Sequence, residues 1–288
     1  MYLDFYGLKE NPFNVTSDPN FLYLSHTHKE ALAHLSYGIE QRKGFVEITG
    51  EVGAGKTTIC RALLNHLDAN VKTSLIFNPS LPETQLLEAV LNDFGIEPKR
   101  KSKIAFIRQL NGFLLEQLSK GNNAVLIIDE AQNLRKKTLE TIRMLSNLET
   151  EKEKLLQIVL VGQPELRDKL NSPDLLQLRQ RIGVRFHVRA LEKSELKAYI
   201  DHRLSVAGAY GSPVFTEEAL SNIYEYSKGI PRVVNIICDK SLLLGFVQEV
   251  RVIDADIVRR SIDETEGQFS YSEITGEIDK KERQMTRK

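Results

Sequence analysis

The sequence predicts an α/β protein in which a five-stranded parallel sheet lies between helices and is followed by a small all-helical domain. Two observations lead to this prediction. Five short apolar segments alternate with helical patterns along the first part of the chain, and such alternation is typical of a parallel sheet covered on both faces. After the fifth segment only helical patterns follow, punctuated by Pro213, Gly229 and Pro231.

Each predicted strand is short, apolar and bounded by turn or helix signals. The predicted strands are 45–49, 73–77, 124–128, 156–161 and 184–188. The helices that precede or separate them are predicted at 28–42, 56–68, 83–94, 103–119, 135–149 and 165–180, and the later ones at 193–207, 216–227, 231–246 and 254–262. The predicted divisions are an aromatic N-terminal segment (1–27), an α/β core (28–190), a helical lid domain (191–262) and a polar, flexible tail (263–288).

Composition indicates a soluble globular protein without a strong charge bias. Lys plus Arg and Asp plus Glu both number 39, and 41% of the residues are hydrophobic, so no global basic character points to nucleic acid. The sequence contains no apolar run near the length of a membrane span and no basic N-terminal segment followed by an apolar one. We therefore expect a cytoplasmic protein, with Cys60 and Cys238 as reduced core residues.

The clearest local pattern is G-x-x-x-x-G-K-T over residues 50–57, between an apolar strand and an amphipathic helix. In such a loop the glycines let successive backbone N–H groups surround a polyphosphate, and the helix that follows points its positive end at the phosphates. We expect Lys56 to reach the β- and γ-phosphates and the Thr57 hydroxyl to coordinate Mg²⁺. The predicted nucleoside triphosphate site comprises Gly50, Glu51, Val52, Gly53, Ala54, Gly55, Lys56, Thr57 and Thr58.

An acidic pair, Asp129 and Glu130, follows the apolar strand 124–128. Asp129 is expected to hold Mg²⁺ through water, and Glu130 to orient and deprotonate the attacking water. The alternative is two exposed carboxylates at the end of a strand. Beside a phosphate loop, the pair favours hydrolysis over passive nucleotide binding.

Two amide side chains end other predicted strands. Gln163 is expected to project towards the γ-phosphate, where an amide can position water, although a capping turn before Pro164 also explains it. Asn78 could hydrogen-bond Glu130 and hold it away from water until a partner arrives. A local turn with Pro79 explains Asn78 nearly as well.

Arginines near the end of the α/β core and in the helical domain are further candidates. Arg181, with Arg179 and Arg185 as alternatives, could project onto the γ-phosphate of a neighbouring subunit, which requires an oligomer. Arg232 follows Pro231 in the first turn of a predicted helix and could contact the bound nucleotide. Solvated arginines on helix ends are the alternative at each position.

The order of these motifs resembles the AAA+ ATPases over about residues 28–262. A narrower resemblance is to the general secretion pathway protein A (ExeA/GspA) family. It is carried by Phe5-Tyr6-Gly7-Leu8, Asn11-Pro12-Phe13, Phe21-Leu22-Tyr23, Tyr37-Gly38-Ile39, Gly44-Phe45, the phosphate loop, Ile76-Phe77-Asn78-Pro79, Asp129-Glu130-Ala131-Gln132, Val161-Gly162-Gln163-Pro164-Glu165-Leu166 and Gln180-Arg181-Ile182.

The resemblance implies a bacterial motor or switch ATPase that uses ATP and Mg²⁺ and acts as a ring or filament of identical subunits. It implies partners among membrane-associated secretion, pilus or exopolysaccharide assembly proteins, and a position peripheral to the inner membrane through such a partner. It also places the aromatic N-terminal segment and Pro231 near the adenine base. Long family members add a transmembrane helix and a periplasmic peptidoglycan-binding domain, and neither is evident here, so direct cell-wall binding is not expected.

Two alternatives remain open at this point. The same core resembles transposition regulators and origin-binding ATPases that polymerise on double-stranded DNA, and basic runs at 99–103, 135–137 and 179–189 could serve that role. No zinc finger or separate helix-turn-helix module accompanies them. A nucleotide-dependent scaffold that hydrolyses slowly would have nearly the same sequence.

Overall fold

The computed structural model describes residues 2–16, 18–77 and 79–266. The chain forms two compact units, here called the α/β unit (Ser17–Arg189) and the helical unit (Met1–Thr16 with Ala190–Lys288). The predicted N-terminal segment 1–27 is thus divided between the two units. The part of the predicted tail beyond residue 266 lies outside the described residues.

The α/β unit contains a five-stranded sheet in which every pair of neighbouring strands is parallel. Its strands are β1 (Phe45–Gly50), β2 (Val71–Ile76), β3 (Asn123–Ile128), β4 (Gln157–Gly162) and β5 (Ile182–Val188). Their order in the sheet is β2-β3-β4-β1-β5. The predicted parallel sheet of five strands with flanking helices is confirmed.

The described helices surround this sheet or form the helical unit. In chain order they are α1 (Tyr2–Tyr6), α2 (His26–Glu40), α3 (Lys56–His66), α4 (Glu83–Asp93), α5 (Lys103–Ser119), α6 (Lys136–Leu145), α7 (Pro164–Leu170), α8 (Leu176–Gln180), α9 (Lys193–Val206), α10 (Glu217–Ser227), α11 (Pro231–Val247) and α12 (255–266). Short 3₁₀ helices lie at Pro19–Phe21, Ala131–Asn133 and Pro173–Leu175.

Alternate side chains of the central strands enter two separate hydrophobic clusters. Every residue of β1 is buried. Val46 and Ile48 belong to the cluster that includes Leu35 of α2 and Ile59 of α3. Phe45 belongs to the cluster on the opposite face, with residues of α4, α5 and α6. Because successive side chains of a strand point to opposite faces, these continuous apolar strands are covered on both sides.

The predicted helix 165–180 is wrong as a single element. The structure divides it into α7, a 3₁₀ helix that begins at Pro173, and α8. Proline has no backbone N–H and disfavours helical geometry in the residue before it, here Ser172, so the helix cannot run through this point. The predicted helix 135–149 is also shorter, since α6 ends at Leu145 and a bridge pairs Glu149 with Lys154.

The predicted helical region after β5 is confirmed, although it does not consist of helices alone. Two short strands, β6 (Val214–Phe215) and β7 (Val252–Ile253), pair in parallel within the helical unit. Phe215 and Ile253 are buried, whereas Val214 and Val252 are exposed. Two-residue strands are too short to give an alternation that a sequence pattern could reveal.

The first residues of the chain are bound into the helical unit by buried polar contacts. The Tyr6 hydroxyl donates to the carbonyl oxygens of Leu242 at 3.1 Å and Val250 at 3.2 Å. The Arg203 guanidinium donates to Pro12 O at 2.6 Å and to Asn14 O at 3.0 Å. The N-terminal residues therefore complete the helical unit and are not a separate arm.

Both cysteines are free and buried, as predicted, with Cys60 in the α/β unit and Cys238 in the helical unit. Burial raises the pKa of each thiol, which keeps the reactive thiolate form rare. Among the described residues, no helix is long and apolar enough to cross a membrane.

One half-buried carboxylate joins three helices of the α/β unit. Glu83 in the first turn of α4 accepts hydrogen bonds from Lys103 Nζ and Thr141 Oγ1, both at 2.7 Å, and Lys137 Nζ lies 3.1 Å from its other oxygen. Its side chain is 14% exposed. The hydrogen bonds from Lys103 and Thr141 lower the pKa of Glu83 to about 2.

We expect Glu83→Gln to destabilise the protein at pH 7 by about 1–3 kcal/mol, because charged hydrogen bonds of this kind are lost. When folding lowers the pKa of a carboxyl group, that group stabilises the folded state to its full extent at pH values above its unfolded pKa. The stabilisation is lost as the pH falls through the folded pKa. The difference in the free energy of unfolding between the wild-type protein and the variant should therefore become smaller as the pH falls from about 4.5 to about 2.

Urea unfolding of the wild-type protein and the variant at pH 7 and pH 3 measures this difference in stability. Glu88→Gln is the matched control, since Glu88 lies on the same helix and pairs only loosely with Lys101 at 3.5 Å. Equal midpoints for Glu83→Gln and Glu88→Gln at pH 7 would contradict the prediction.

Candidate nucleotide site

The phosphate loop connects the end of β1 at Gly50 to the start of α3 at Lys56. Gly55, the residue before α3, has a φ of +88°, a conformation that L side chains rarely adopt. A Cβ atom at this position would also lie 3.1 Å from His28 Nε2. The second glycine of the pattern is therefore required by backbone geometry and by space.

The Lys56 ammonium is folded into the loop that precedes it. Its Nζ donates to Gly50 O and Glu51 O, each at 2.8 Å, and the residue is 6% exposed. Burial lowers the pKa of Lys56, while the carboxylates of Glu130 and Asp129 oppose that shift. An ammonium has three N–H donors, so Lys56 can satisfy both carbonyls and still donate to an anion.

His28 supports the loop from α2, a contact that the sequence analysis missed. Its Nε2 lies 3.1 Å from Ala54 O and its Nδ1 lies 2.7 Å from Ser25 Oγ. Since a carbonyl oxygen only accepts, Nε2 donates to Ala54 O, and in the neutral imidazole Nδ1 then accepts from the serine hydroxyl. The two residues of the first contact are 26 positions apart, and no local pattern announces it.

Thr57 and Asp129 meet at the base of the loop. Thr57 Oγ1 donates to Asp129 Oδ2 at 2.5 Å, and Asp129 Oδ1 accepts from the backbone N of Glu130 at 2.8 Å. Asp129 is 2% exposed, and its burial raises the pKa of its carboxyl, against the effect of the bond from Thr57. One hydroxyl and one carboxylate suit a Mg²⁺ ion that is also bound by phosphate and water.

Glu130 lies at the end of β3 in a left-handed conformation, with φ 53° and ψ 36°. Its Oε2 accepts from Gln132 Nε2 at 2.5 Å and from Gln163 Nε2 at 3.3 Å. Two side chains predicted from separate strands, Glu130 and Gln163, thus lie together. Asn78 lies outside the described residues, and its bond to Glu130 stays a prediction.

Two of the three candidate trans arginines are engaged within the α/β unit. Arg181 donates to Ser146 Oγ at 2.7 Å and to Asn147 Oδ1. Arg185 Nε lies 3.2 Å from the buried carboxylate of Glu47, and its Nη2 donates to Arg179 O at 2.8 Å. Arg179 itself is exposed. Their action on a neighbouring subunit stays a prediction.

The remaining predicted site residues, Pro231 and Arg232, lie in the helical unit. Pro231 is the buried first residue of α11, a position that suits a residue without a backbone N–H. Arg232 follows it and is exposed. Their predicted roles towards the nucleotide and its base are not tested by these positions.

Comparison with known proteins gives matches over most of the chain. A family model described as the AAA domain matches residues 39–170. General secretion pathway protein A of Aeromonas hydrophila is 44% identical over 259 residues, which are 89% of this chain and 47% of that protein. Holliday junction branch migration complex subunit RuvB of Staphylococcus aureus is 26% identical over 193 residues, 66% of this chain and 50% of that one. The chain thus spans about half the length of these curated relatives.

Among solved structures, the ORC2 protein of Aeropyrum pernix in its ADPNP–ADP complexes superimposes with a TM-score of 0.65 at 18% identity. The match covers 89% of this chain and 72% of that one. At this identity the likeness shows a shared fold.

Lys56→Ala should abolish tight ATP binding, a loss of at least about a hundredfold, because a charged donor inside the phosphate loop is removed. Isothermal titration with ATP and Mg²⁺ measures the affinity. Lys120→Ala serves as a control, since Lys120 is exposed at the end of α5 and pairs with Glu116. Unchanged affinity in Lys56→Ala would remove the phosphate-loop assignment.

Proposed function

We propose that the chain is an AAA+ ATPase of the general secretion pathway protein A family, which its similarity to the Aeromonas hydrophila protein over 89% of the chain and its match to the AAA domain model support. On that premise it binds ATP with Mg²⁺ and hydrolyses it to ADP and phosphate. It does so as an oligomeric motor or switch in the assembly of a bacterial secretion, pilus or exopolysaccharide envelope machine. The name of the Aeromonas hydrophila relative supports the secretion role.

The observation that carries the hydrolytic proposal is the convergence of three chain segments at one edge of the sheet. Thr57 and Asp129 share a hydrogen bond across 72 positions of sequence, and Glu130 and Gln163 share one across 33. These contacts join the phosphate loop, the end of β3 and the end of β4. A passive nucleotide site does not need a carboxylate held between two amides beside the magnesium ligands.

Each side chain has a separate task in the proposed reaction. Lys56 binds the β- and γ-phosphates, and Thr57 with Asp129 holds Mg²⁺, which neutralises charge on the phosphates when bound. Glu130 accepts a proton from the attacking water, and Gln163 orients that water or senses the γ-phosphate. Asn78 is proposed to restrain Glu130 before a partner engages.

Oligomerisation would supply a further catalytic group. We propose Arg181 as the arginine that reaches the γ-phosphate of a neighbouring copy, with Arg179 and Arg185 as alternatives, in a ring or filament. Arg181 donates to Ser146 and Asn147 through Nη1 alone, and a guanidinium with five N–H donors can bind a further acceptor. Arg232 is proposed to bind the nucleotide, with Pro231 near the base.

The proposed location is the cytoplasm, peripheral to the inner membrane through a membrane-associated assembly protein. The chain then acts on that partner by changes in conformation driven by the nucleotide.

Glu130→Gln should bind ATP within about twofold of the wild-type affinity and hydrolyse it at least about a hundredfold more slowly, because an amide cannot accept the proton of the attacking water. Phosphate release under saturating ATP measures turnover. The control is Glu165→Gln, which changes an exposed acid in the first turn of α7. Wild-type turnover in Glu130→Gln would show that another group is the base.

A second candidate is a DNA-binding AAA+ ATPase of the transposition-regulator or origin-binding type. It is favoured by three exposed arginines, Arg179 in α8, Arg185 in the edge strand β5 and Arg189 directly after that strand. Solvent-facing arginines explain the same surface without a nucleic-acid partner.

Fluorescence anisotropy with random duplex DNA separates the two candidates. Under the proposed function, Glu130→Gln with ATP and Mg²⁺ gives no ATP-dependent rise in anisotropy at low or moderate salt. Strong ATP-dependent binding with a steep salt dependence would instead favour the DNA-binding ATPase.

A further inference from the structure

Gln132, two residues after Glu130, forms hydrogen bonds through both the nitrogen and the oxygen of its side-chain amide. Gln132 lies in the 3₁₀ helix Ala131–Asn133. Its Nε2 donates to Glu130 Oε2 at 2.5 Å, and its Oε1 accepts from the backbone N of Gln163 at 3.1 Å. One side-chain amide therefore joins the segment after β3 to the segment after β4.

The Gln132 amide packs so closely against Gly162 that no side chain fits at position 162. A Cβ atom at Gly162, the last residue of β4, would lie 2.7 Å from Gln132 Oε1 and 3.0 Å from a methyl group of Leu166. Any side chain at position 162 would displace the amide. The glycine thus leaves room for the Gln132 side chain to reach the Gln163 N–H.

The backbone of Gln132 is also fixed. Lys169 Nζ, from α7, donates to Gln132 O and to Leu134 O, the second at 2.9 Å. The turn that carries Gln132 is therefore tied at its carbonyl oxygens to the helix that follows Gln163. Both the main chain and the side chain of Gln132 connect the ends of the two strands.

We propose that Gln132 is a positioning residue that holds the Glu130 carboxylate and the Gln163 main chain in a single arrangement. The Gln163 side chain donates to the same Glu130 oxygen at 3.3 Å, which closes a ring of three residues. An amide suits this place because it donates at one end and accepts at the other. The inference rests on the proposed hydrolysis of ATP, for which Glu130 is the base.

The first test compares Gln132→Met with the wild-type protein. Methionine keeps a similar length and removes the donor and the acceptor. The turnover number should fall by about tenfold to a hundredfold with ATP affinity within about twofold, because a displaced base impairs chemistry and not ground-state binding.

Gln109→Met is the matched control. Gln109 is also half-buried, and its side-chain amide likewise uses both its nitrogen and its oxygen. It donates to Glu97 O at 3.0 Å and accepts from the backbone N of Lys99 at 3.2 Å. It lies on α5, and its contacts involve none of the proposed site residues. Its substitution should leave turnover and ATP affinity at wild-type values.

A double-mutant cycle distinguishes positioning from a general loss of structure. If Gln132 and Gln163 act as one unit, Gln132→Met should cost much less turnover in a Gln163→Met background than in the wild type. Gln132→Glu should be at least as slow as Gln132→Met, because it places a second carboxylate against Glu130. Thermal unfolding confirms that each variant is folded.

The outcomes are distinct. Wild-type turnover in Gln132→Met, additive losses in the cycle, or a loss of ATP affinity that accounts for the slower turnover would each overturn the positioning role while the proposed function stands. If the wild-type protein binds ATP but shows no turnover, the proposed function fails and the positioning role fails with it.

Discussion

The hydrogen-bonded register of three adjacent parallel strands, β3, β4 and β1, sets the positions of the side chains in the α/β unit's candidate site. These strands are almost entirely buried. The pairing of β3 with β4 begins at Val125 and Gln157, and the pairing of β1 with β4 begins at Phe45 and Ile158. Parallel strands all end at the same edge of a sheet, so the segments that leave them become neighbours. A slip of one residue in either pair would turn every side chain of the slipped strand to the other face and shift the acidic pair relative to the phosphate loop.

Burial then gives these neighbouring polar groups their electrostatic character. Desolvation lowers the pKa of Lys56 and raises that of Asp129, and the two opposite charges partly offset each other's cost. Short contacts fix these groups in place, Lys56 by two carbonyl oxygens and Asp129 by Thr57. Charged groups that are held in fixed positions stabilise a developing charge better than mobile ones.

Periodicity and local motifs predicted the sheet, most of the helices and the phosphate loop, because those features depend on neighbouring residues. They failed where a distant segment decides the outcome. His28 and Ala54 meet only because α2 packs beside the loop. The two-residue ladder β6–β7 depends on pairing between segments that are far apart in sequence. Gln132 stood in a motif noted in the sequence, yet its contact with the Gln163 main chain required β3 and β4 to be adjacent.

The division of the chain also has a consequence for biosynthesis. The α/β unit is continuous, whereas the helical unit draws on both ends of the described chain. Tyr6 and its acceptor Leu242 are 236 positions apart, so the first helix leaves the ribosome long before its binding site has been translated. Continuous units fold in order of synthesis, and contacts between distant residues form slowly. The α/β unit can therefore complete its core while the N-terminal segment is still unpaired, and Tyr6 reaches its acceptors only after α11 and Val250 have been translated.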